Sequence, residues 1–290
     1  MGKKTILITG ATGKISTDVI AALKGTKHTL RVLVRDEAKA AAFRAQGLEA
    51  VVADLDSART LAPAFAGVDT AFLLSPPGPR AADQQSSALY FAKKAGVAHI
   101  VRMSAVGAAH NAPTVNSRSH ALSDAELASS GVPYTIVKPH FFMQNMMMAA
   151  QSVAEQGMIY MALDDGKMGL IDARDISLFV ATVLTTGGHE GKTYTLTGPE
   201  SLDMPTMAEQ LGKAVGKAVT YVPIPVAAAG QAMAQMGMDI WMQTAMMDYF
   251  EAYSSGWGDF VSDDFQRVMG RSPRSFAVFA KDFAGVFGGK

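Results

Sequence analysis

The chain has 290 residues and no cysteine; 49% of it is hydrophobic and 18% charged, with 26 Lys plus Arg against 26 Asp plus Glu. That balance leaves no global field for nucleic acid or an anionic membrane, and the missing thiols exclude cysteine catalysis, disulfides and thiolate metal sites. No apolar run approaches a bilayer's thickness, and Met1-Gly-Lys-Lys4 leads into a strand without a leader's apolar region, so the expectation is a cytoplasmic protein with a large buried core.

Thr5-Ile-Leu-Ile-Thr9 predicts a strand that runs into Gly10-Ala-Thr-Gly13-Lys-Ile-Ser16 and a helix near 14–23. Gly10 permits a tight turn, Gly13 lets the backbone approach a phosphate, and Ser16 is small enough for helix and strand to pack closely. Gly10, Thr12, Gly13, Lys14 and Ile15 are therefore expected around a dinucleotide pyrophosphate, whose charge the helix N-terminus favours. A strand near 30–34 ends in Arg35-Asp36. An acid there suits the ribose of NAD, whereas an arginine suits the 2′-phosphate of NADP; Arg35, with Lys39 one turn on, favours NADPH, NADH being the alternative, and leaves Asp36 to cap the next helix. Further strands near 49–53 and 69–74 deliver Asp54 and Leu55, then Ser75 and Pro76, to the same cofactor edge, with Asp54 in reach of the adenine amino group. Helices near 37–46, 58–65, 82–95 and 119–130 alternate with strands near 99–103, ending at Ser104, and 134–138, ending at Pro139.

Such alternation means a Rossmann-type, doubly wound parallel sheet in an α/β fold. The expected division is an NAD(P)-binding domain over 1–155, with a late return near 169–185, and a smaller C-terminal substrate lobe over 156–290. The lobe is expected to hold Met-rich helices, a strand at Tyr194-Thr-Leu-Thr197 and a helix–strand pair ending at Pro223-Ile-Pro225. Asp175 reads as the cap of the apolar helix that follows it. The six histidines show no metal spacing.

Gly10-Ala-Thr-Gly13, Val34-Arg35-Asp36, Ser130-Gly-Val-Pro-Tyr-Thr135, Lys138-Pro-His-Phe-Phe-Met-Gln-Asn145, Ile171-Asp-Ala-Arg-Asp175 and Tyr194-Thr-Leu-Thr-Gly-Pro199 together resemble the NmrA-like group of atypical short-chain dehydrogenase/reductases. Within it the chain looks most like the flavin-free bacterial NAD(P)H azoreductases, and more distantly like triphenylmethane and NADPH quinone reductases. The resemblance implies hydride transfer from NADPH to an aromatic or quinonoid acceptor, with neither flavin nor metal. It covers nearly the whole chain and leaves a homodimer open. The namesake of the group supports the alternative, a cofactor-binding redox sensor without catalysis.

Typical short-chain reductases carry a Tyr-x-x-x-Lys pair on the helix after their fifth strand, where phenol and ammonium share a face. This chain has none there. Tyr90 and Lys94 keep the spacing on the preceding helix, and Tyr134 and Lys138 keep it in a strand that would hold them about 13 Å apart, so both pairs read as coincidences. His120 occupies the register where related sequences place a lysine or a histidine. It is the candidate proton donor or substrate hydrogen bond, steadied by Asp124 four residues on, with the Ser104 hydroxyl as a second catalytic candidate. A chain without the phenol suits quinones or azo bonds, whose reduction delocalises charge, better than simple ketones. Phe141, Phe142 and Asn145 at the sixth strand's exit are the expected acceptor contacts, and Pro139 faces the nicotinamide. The Met146–Met148 run and the methionines from Met233 to Met247 read either as an adaptable pocket or as core.

Overall fold

The computed structural model describes residues 2–289 and divides them into two compact units, the first comprising 2–111, 116–138 and 176–194, the second 112–115, 139–175 and 195–289. In the first unit the inner strands are short, mostly apolar runs buried on both faces, as a parallel sheet flanked by helices requires, whereas the edge strand over Glu49–Val52 is largely exposed. β1 (Thr5–Ile8) carries Ile6, Leu7 and Ile8 with no exposed surface. It is followed by α1 (Lys14–Leu23), β2 (Thr29–Val34), α2 (Glu37–Arg44), β3 (Glu49–Val52), a turn of 3-10 helix leading to α3 (Ala62–Phe65), β4 (Thr70–Leu73), α4 (Ala81–Lys94), β5 (His99–Met103), α5 (Val115–Ser129) and β6 (Tyr134–Pro139). Every expected strand is present within a residue or two. The crossovers arrange the sheet in the order β3-β2-β1-β4-β5-β6, the doubly wound order, with register pairs such as Ile6 to Leu30 and Ile6 to Thr70. Its core packs Leu7, Leu61, Phe65, Leu73, Ala92 and Ile100.

A 3-10 turn over Met143–Ala149 leads from β6 into α6 (Ala150–Gln156), β7 (Met158–Met161), β8 (Lys167–Met168), α7 (Ala173–Thr185) and β9 (Lys192–Leu196). Two expectations are corrected here. The strand expected over 194–197 does not build a separate lobe sheet: Tyr194 to Leu196 lie in β9, the seventh strand of the main sheet, beside β6, although Thr195 and Leu196 fall in the second unit. Gly191 N–H donates to Tyr134 O and His140 N–H to Leu196 O, so the two strands run parallel. Asp175 is not a cap. Asp172 stands before the first turn of α7 and accepts the Arg174 N–H at 2.9 Å, whereas Asp175 is fully buried and receives Arg271 Nη2 at 2.8 Å, the Arg274 N–H at 2.6 Å and the Arg274 side chain. A carboxylate claimed by two guanidinium groups is no longer available to a helix end.

The second unit has no large sheet. β10 (Leu202–Asp203) pairs antiparallel with β8, and β11 (Thr220–Pro223) pairs parallel with β7 from Thr220–Met158 to Pro223–Met161. Around them lie α8 (Met204–Val215), α9 (Val226–Gln235), α10 (Ile240–Ser254), α11 (Asp264–Met269) and α12 (Phe276–Asp282). Methionine fills much of this core: Met146, Met168, Met204 and Met207 are fully buried and Met233 nearly so. Met238, Met246 and Met247 pack partly buried against it, and Met148 and Met236 are exposed. Tyr253 is stacked on His140 and Tyr249, with ring centroids 5.5 and 5.6 Å away.

Candidate active site

At the β1 exit Gly10 has φ +60°, and a Cβ there would lie 3.0 Å from Leu74 O. Gly13 N–H closes the turn onto Gly10 O at 2.8 Å, and a Cβ on Gly13 would lie 3.2 Å from that oxygen. Ser16, fully buried, donates to Thr9 O at 2.8 Å and ties the helix to the strand. Gly13 stands at the N-cap of α1 without a side chain bonded to the first turn, so the N–H groups there face outward for an incoming anion. A bare helix start whose cradle a side chain would fill fits a dinucleotide pyrophosphate. Thr12 and Lys14 are exposed at this rim, Lys14 paired with Asp18 at 2.9 Å, and Ile15 is buried beneath it.

At the β2 exit Asp36 caps α2, accepting the Lys39 N–H at 2.8 Å, and also pairs with Lys39 Nζ at 3.1 Å. Lys39 is thus partly engaged. Arg35 is exposed and enters no ion pair among the described residues. Asp54 shapes the following turn, where its Oδ1 accepts the Asp56 N–H at 3.0 Å, and Leu55 packs partly buried against the core. Ser75 Oγ, past β4, accepts from Gln85 Nε2 at 3.0 Å, beside exposed Pro76.

The strongest concentration of buried polar groups lies between β5, α5 and β6. Arg102, 2% exposed near the end of β5, donates through Nη1 to Asp124 Oδ1 and through Nη2 to His120 Nδ1, the latter at 3.1 Å. Ser104 donates to Asp124 Oδ2 at 2.8 Å, and Lys138 Nζ lies 3.2 Å from the same oxygen and 3.1 Å from Ala108 O. Burial pulls the Arg102 pKa down and Asp124 opposes it. His120 is held down to about 3, first by desolvation and then by the Arg102 and Lys138 cations. A guanidinium can only donate, so His120 Nδ1 is the acceptor and the neutral ring carries its proton on Nε2.

The expected His120–Asp124 pair is therefore replaced: Asp124 serves Arg102, Ser104 and Lys138, and it reaches His120 only through Arg102. Ser104 is joined to His120 by the same route. Arg102 and Lys138 were missed as members. A charged residue inside the apolar run His99-Ile-Val-Arg-Met103 was the available signal for Arg102; for Lys138 the Tyr134 spacing drew attention to the wrong partner. Tyr90 and Lys94 are on a solvated face, with Lys94 Nζ 6.0 Å from the exposed Tyr90 ring.

In the second unit Pro139 is buried, and His140 accepts the Phe141 N–H on Nδ1 at 2.7 Å while Nε2 donates to Gly258 O at 3.1 Å. Its pKa is lowered to about 4 by burial, the Gly258 bond opposing. Phe141 is 9% exposed and packs edge-on to Tyr253, a core position; Phe142 bridges to Ile171, and Phe142 and Asn145 keep partial exposure. Among the described residues no three His, Asp or Glu side chains gather as a metal set, and no helix is long and apolar enough to cross a membrane.

Residues 2–269 match the model of the NmrA-like family. The chain belongs to the NmrA-like family. This NmrA-like chain is 38% identical over 283 residues to the NAD(P)H azoreductase of Xenophilus azovorans, an alignment that covers 98% of the chain and 99% of that protein. It is 33% identical over 237 residues to quinone oxidoreductase 2 of Escherichia coli, covering 80% and 82%. Its fold superposes on the crystal structure of an NADPH-dependent quinone oxidoreductase from Escherichia coli complexed with NADPH, with a TM-score of 0.87 at 29% identity, covering 96% of this chain and 99% of that one.

Proposed function

We propose that this NmrA-like protein is an NAD(P)H-dependent oxidoreductase that reduces conjugated aromatic acceptors, quinones or azo compounds, with NADPH as the preferred cofactor and neither flavin nor metal. When bound, the nicotinamide supplies the hydride. The uncapped start of α1 and the Gly10–Gly13 cradle take the pyrophosphate, and the unpaired Arg35 takes the 2′-phosphate. Azoreductase and quinone oxidoreductase relatives at 38% and 33% identity support catalysis over a sensing role.

The observation that carries the choice of acceptor is the neutral His120, held by Arg102 with its N–H on Nε2. Such a ring offers a hydrogen bond and is a poor source of a full proton. That suffices where charge developing on the acceptor is delocalised over a conjugated system, and it is a poor match for the basic alkoxide of a simple ketone. Ser104 and Lys138 act behind His120, by holding the Asp124 carboxylate that orients Arg102. Phe142 and Asn145 are the acceptor contacts favoured in the second unit.

The test is NADPH oxidation, followed by absorbance, by the pure flavin-free protein with a panel of quinones, azo dyes and one simple ketone, with NADH in parallel. Acceptor-dependent oxidation restricted to the conjugated compounds is expected. Tight cofactor binding without turnover of any acceptor would overturn the assignment in favour of a sensor.

A further inference from the structure

The first unit contains a second polar feature beneath the His120 cluster. Arg102 uses Nη1 and Nη2 on Asp124 and His120, but its Nε–H is buried without a partner among the described residues. Gln85, 5% exposed on α4, uses Nε2 on Ser75 Oγ, and its Oε1 is likewise buried and unpartnered. Both side chains line one small cavity of about 10 Å³, whose wall also includes Leu73, Leu89, Ser123 and Leu127. The Glu126 carboxylate at its edge already accepts from Ser86 Oγ at 2.7 Å.

A buried donor and a buried acceptor left without partners each forfeit the hydrogen bond that water gave them in the unfolded chain. A polar cavity holds one water once it offers roughly 10–15 Å³ to the water's centre and two or more hydrogen-bonding partners. Size and partners agree here. We infer that this cavity holds one structural water, accepting from Arg102 Nε and donating to Gln85 Oε1, and that Gln85 acts through it as a positioning residue for His120. Turning the Gln85 amide over exchanges the atom facing the cavity but not the conclusion, because water both donates and accepts.

The consequence follows from the shape of the guanidinium. Asp124 and His120 hold Nη1 and Nη2, and a water on Nε adds a third point that resists rotation of the guanidinium away from His120 Nδ1. A continuous path thus joins Ser75 on the cofactor edge through Gln85, the water and Arg102 to the imidazole. The role of Gln85 rests on the reading of His120 given above, whereas the water does not.

The test combines a crystal structure that resolves ordered water with Gln85→Leu and Gln85→Glu variants. A density peak within hydrogen-bond distance of Arg102 Nε and Gln85 is expected in the unaltered protein, and its absence overturns the water. In Q85L, ¹⁵N resonances of His120 should show mixed tautomers, and kcat with a quinone should fall about tenfold, the worth of one hydrogen bond. Q85E keeps an acceptor and should restore kcat. Unchanged His120 resonances in a folded Q85L protein overturn the positioning role. The resonances and the density peak can be read even in a protein that turns over no acceptor, so failure of the catalytic reading is told apart from failure of this one.

Discussion

Lys138 Nζ stands 3.2 Å from Asp124 Oδ2 while the other oxygen of that carboxylate holds the buried Arg102 guanidinium. One acid thus pairs with two cations, one of them 2% exposed. Asp124→Ala strands the buried charge and is expected to destabilise the fold by about 3–5 kcal/mol. Urea unfolding checks this: the midpoint should fall with an unchanged slope. A loss below about 1 kcal/mol would mean that solvent reaches Arg102.

His120 should behave as a neutral donor throughout the physiological range, because its pKa is held at about 3. The acid side of the kcat profile is therefore expected to be flat between about pH 5 and 8. His120→Ala should lower kcat about a hundredfold, the usual loss of one preorganised donor, and His120→Gln, which keeps an N–H, should lose less. A decline of kcat as the pH rises through about 6.5 in the unaltered protein would identify a protonated imidazole acid instead.

Arg35→Ala should weaken NADPH about 10–100-fold, the worth of a charge-assisted hydrogen bond to phosphate, and leave NADH nearly unchanged. Fluorescence titration with both cofactors at one ionic strength decides this. Equal effects on the two would remove Arg35 from the 2′-phosphate.

His140 makes stability depend on pH. Unfolded, its ring takes up a proton near the ordinary value of 6.5; folded, it does so only near 4. Between those values the unfolded chain binds more protons, so the stabilisation is complete above about pH 6.5 and declines as the solution is acidified, on the order of 3 kcal/mol by pH 4. His120 adds in the same direction. His140→Asn should flatten the fall of the unfolding midpoint between pH 6.5 and 4, even though the variant starts less stable, and an unchanged slope would refute the linkage.

The sheet was legible because a doubly wound fold writes each parallel strand as an apolar run and each cofactor loop at a strand end, so Gly10, Gly13 and Arg35 could be placed from spacing alone. Lys192–Leu196 was misassigned for a reason of range: a short alternating strand says nothing about which sheet it joins, and its partner, β6, lies more than fifty residues earlier. The polar cluster was half legible. His120 was found by register, but its true partner comes from β5 rather than from its own helix, because Arg102 reaches across from a neighbouring strand. Asp175 looked like a cap by local pattern, and a buried double ion pair with Arg271 and Arg274, about a hundred residues away, outweighed it.

Ser177 on α7 donates to Ile15 O at 3.2 Å, across 162 residues of sequence, and residues 176–194 belong to the same compact unit as the start of the chain. A growing polypeptide emerging from the ribosome therefore exposes the Gly10–Gly13 turn long before the helix that packs on it has been made. A fragment cut after β6 lacks α7 altogether and leaves the apolar face meant for it open to solvent and to aggregation.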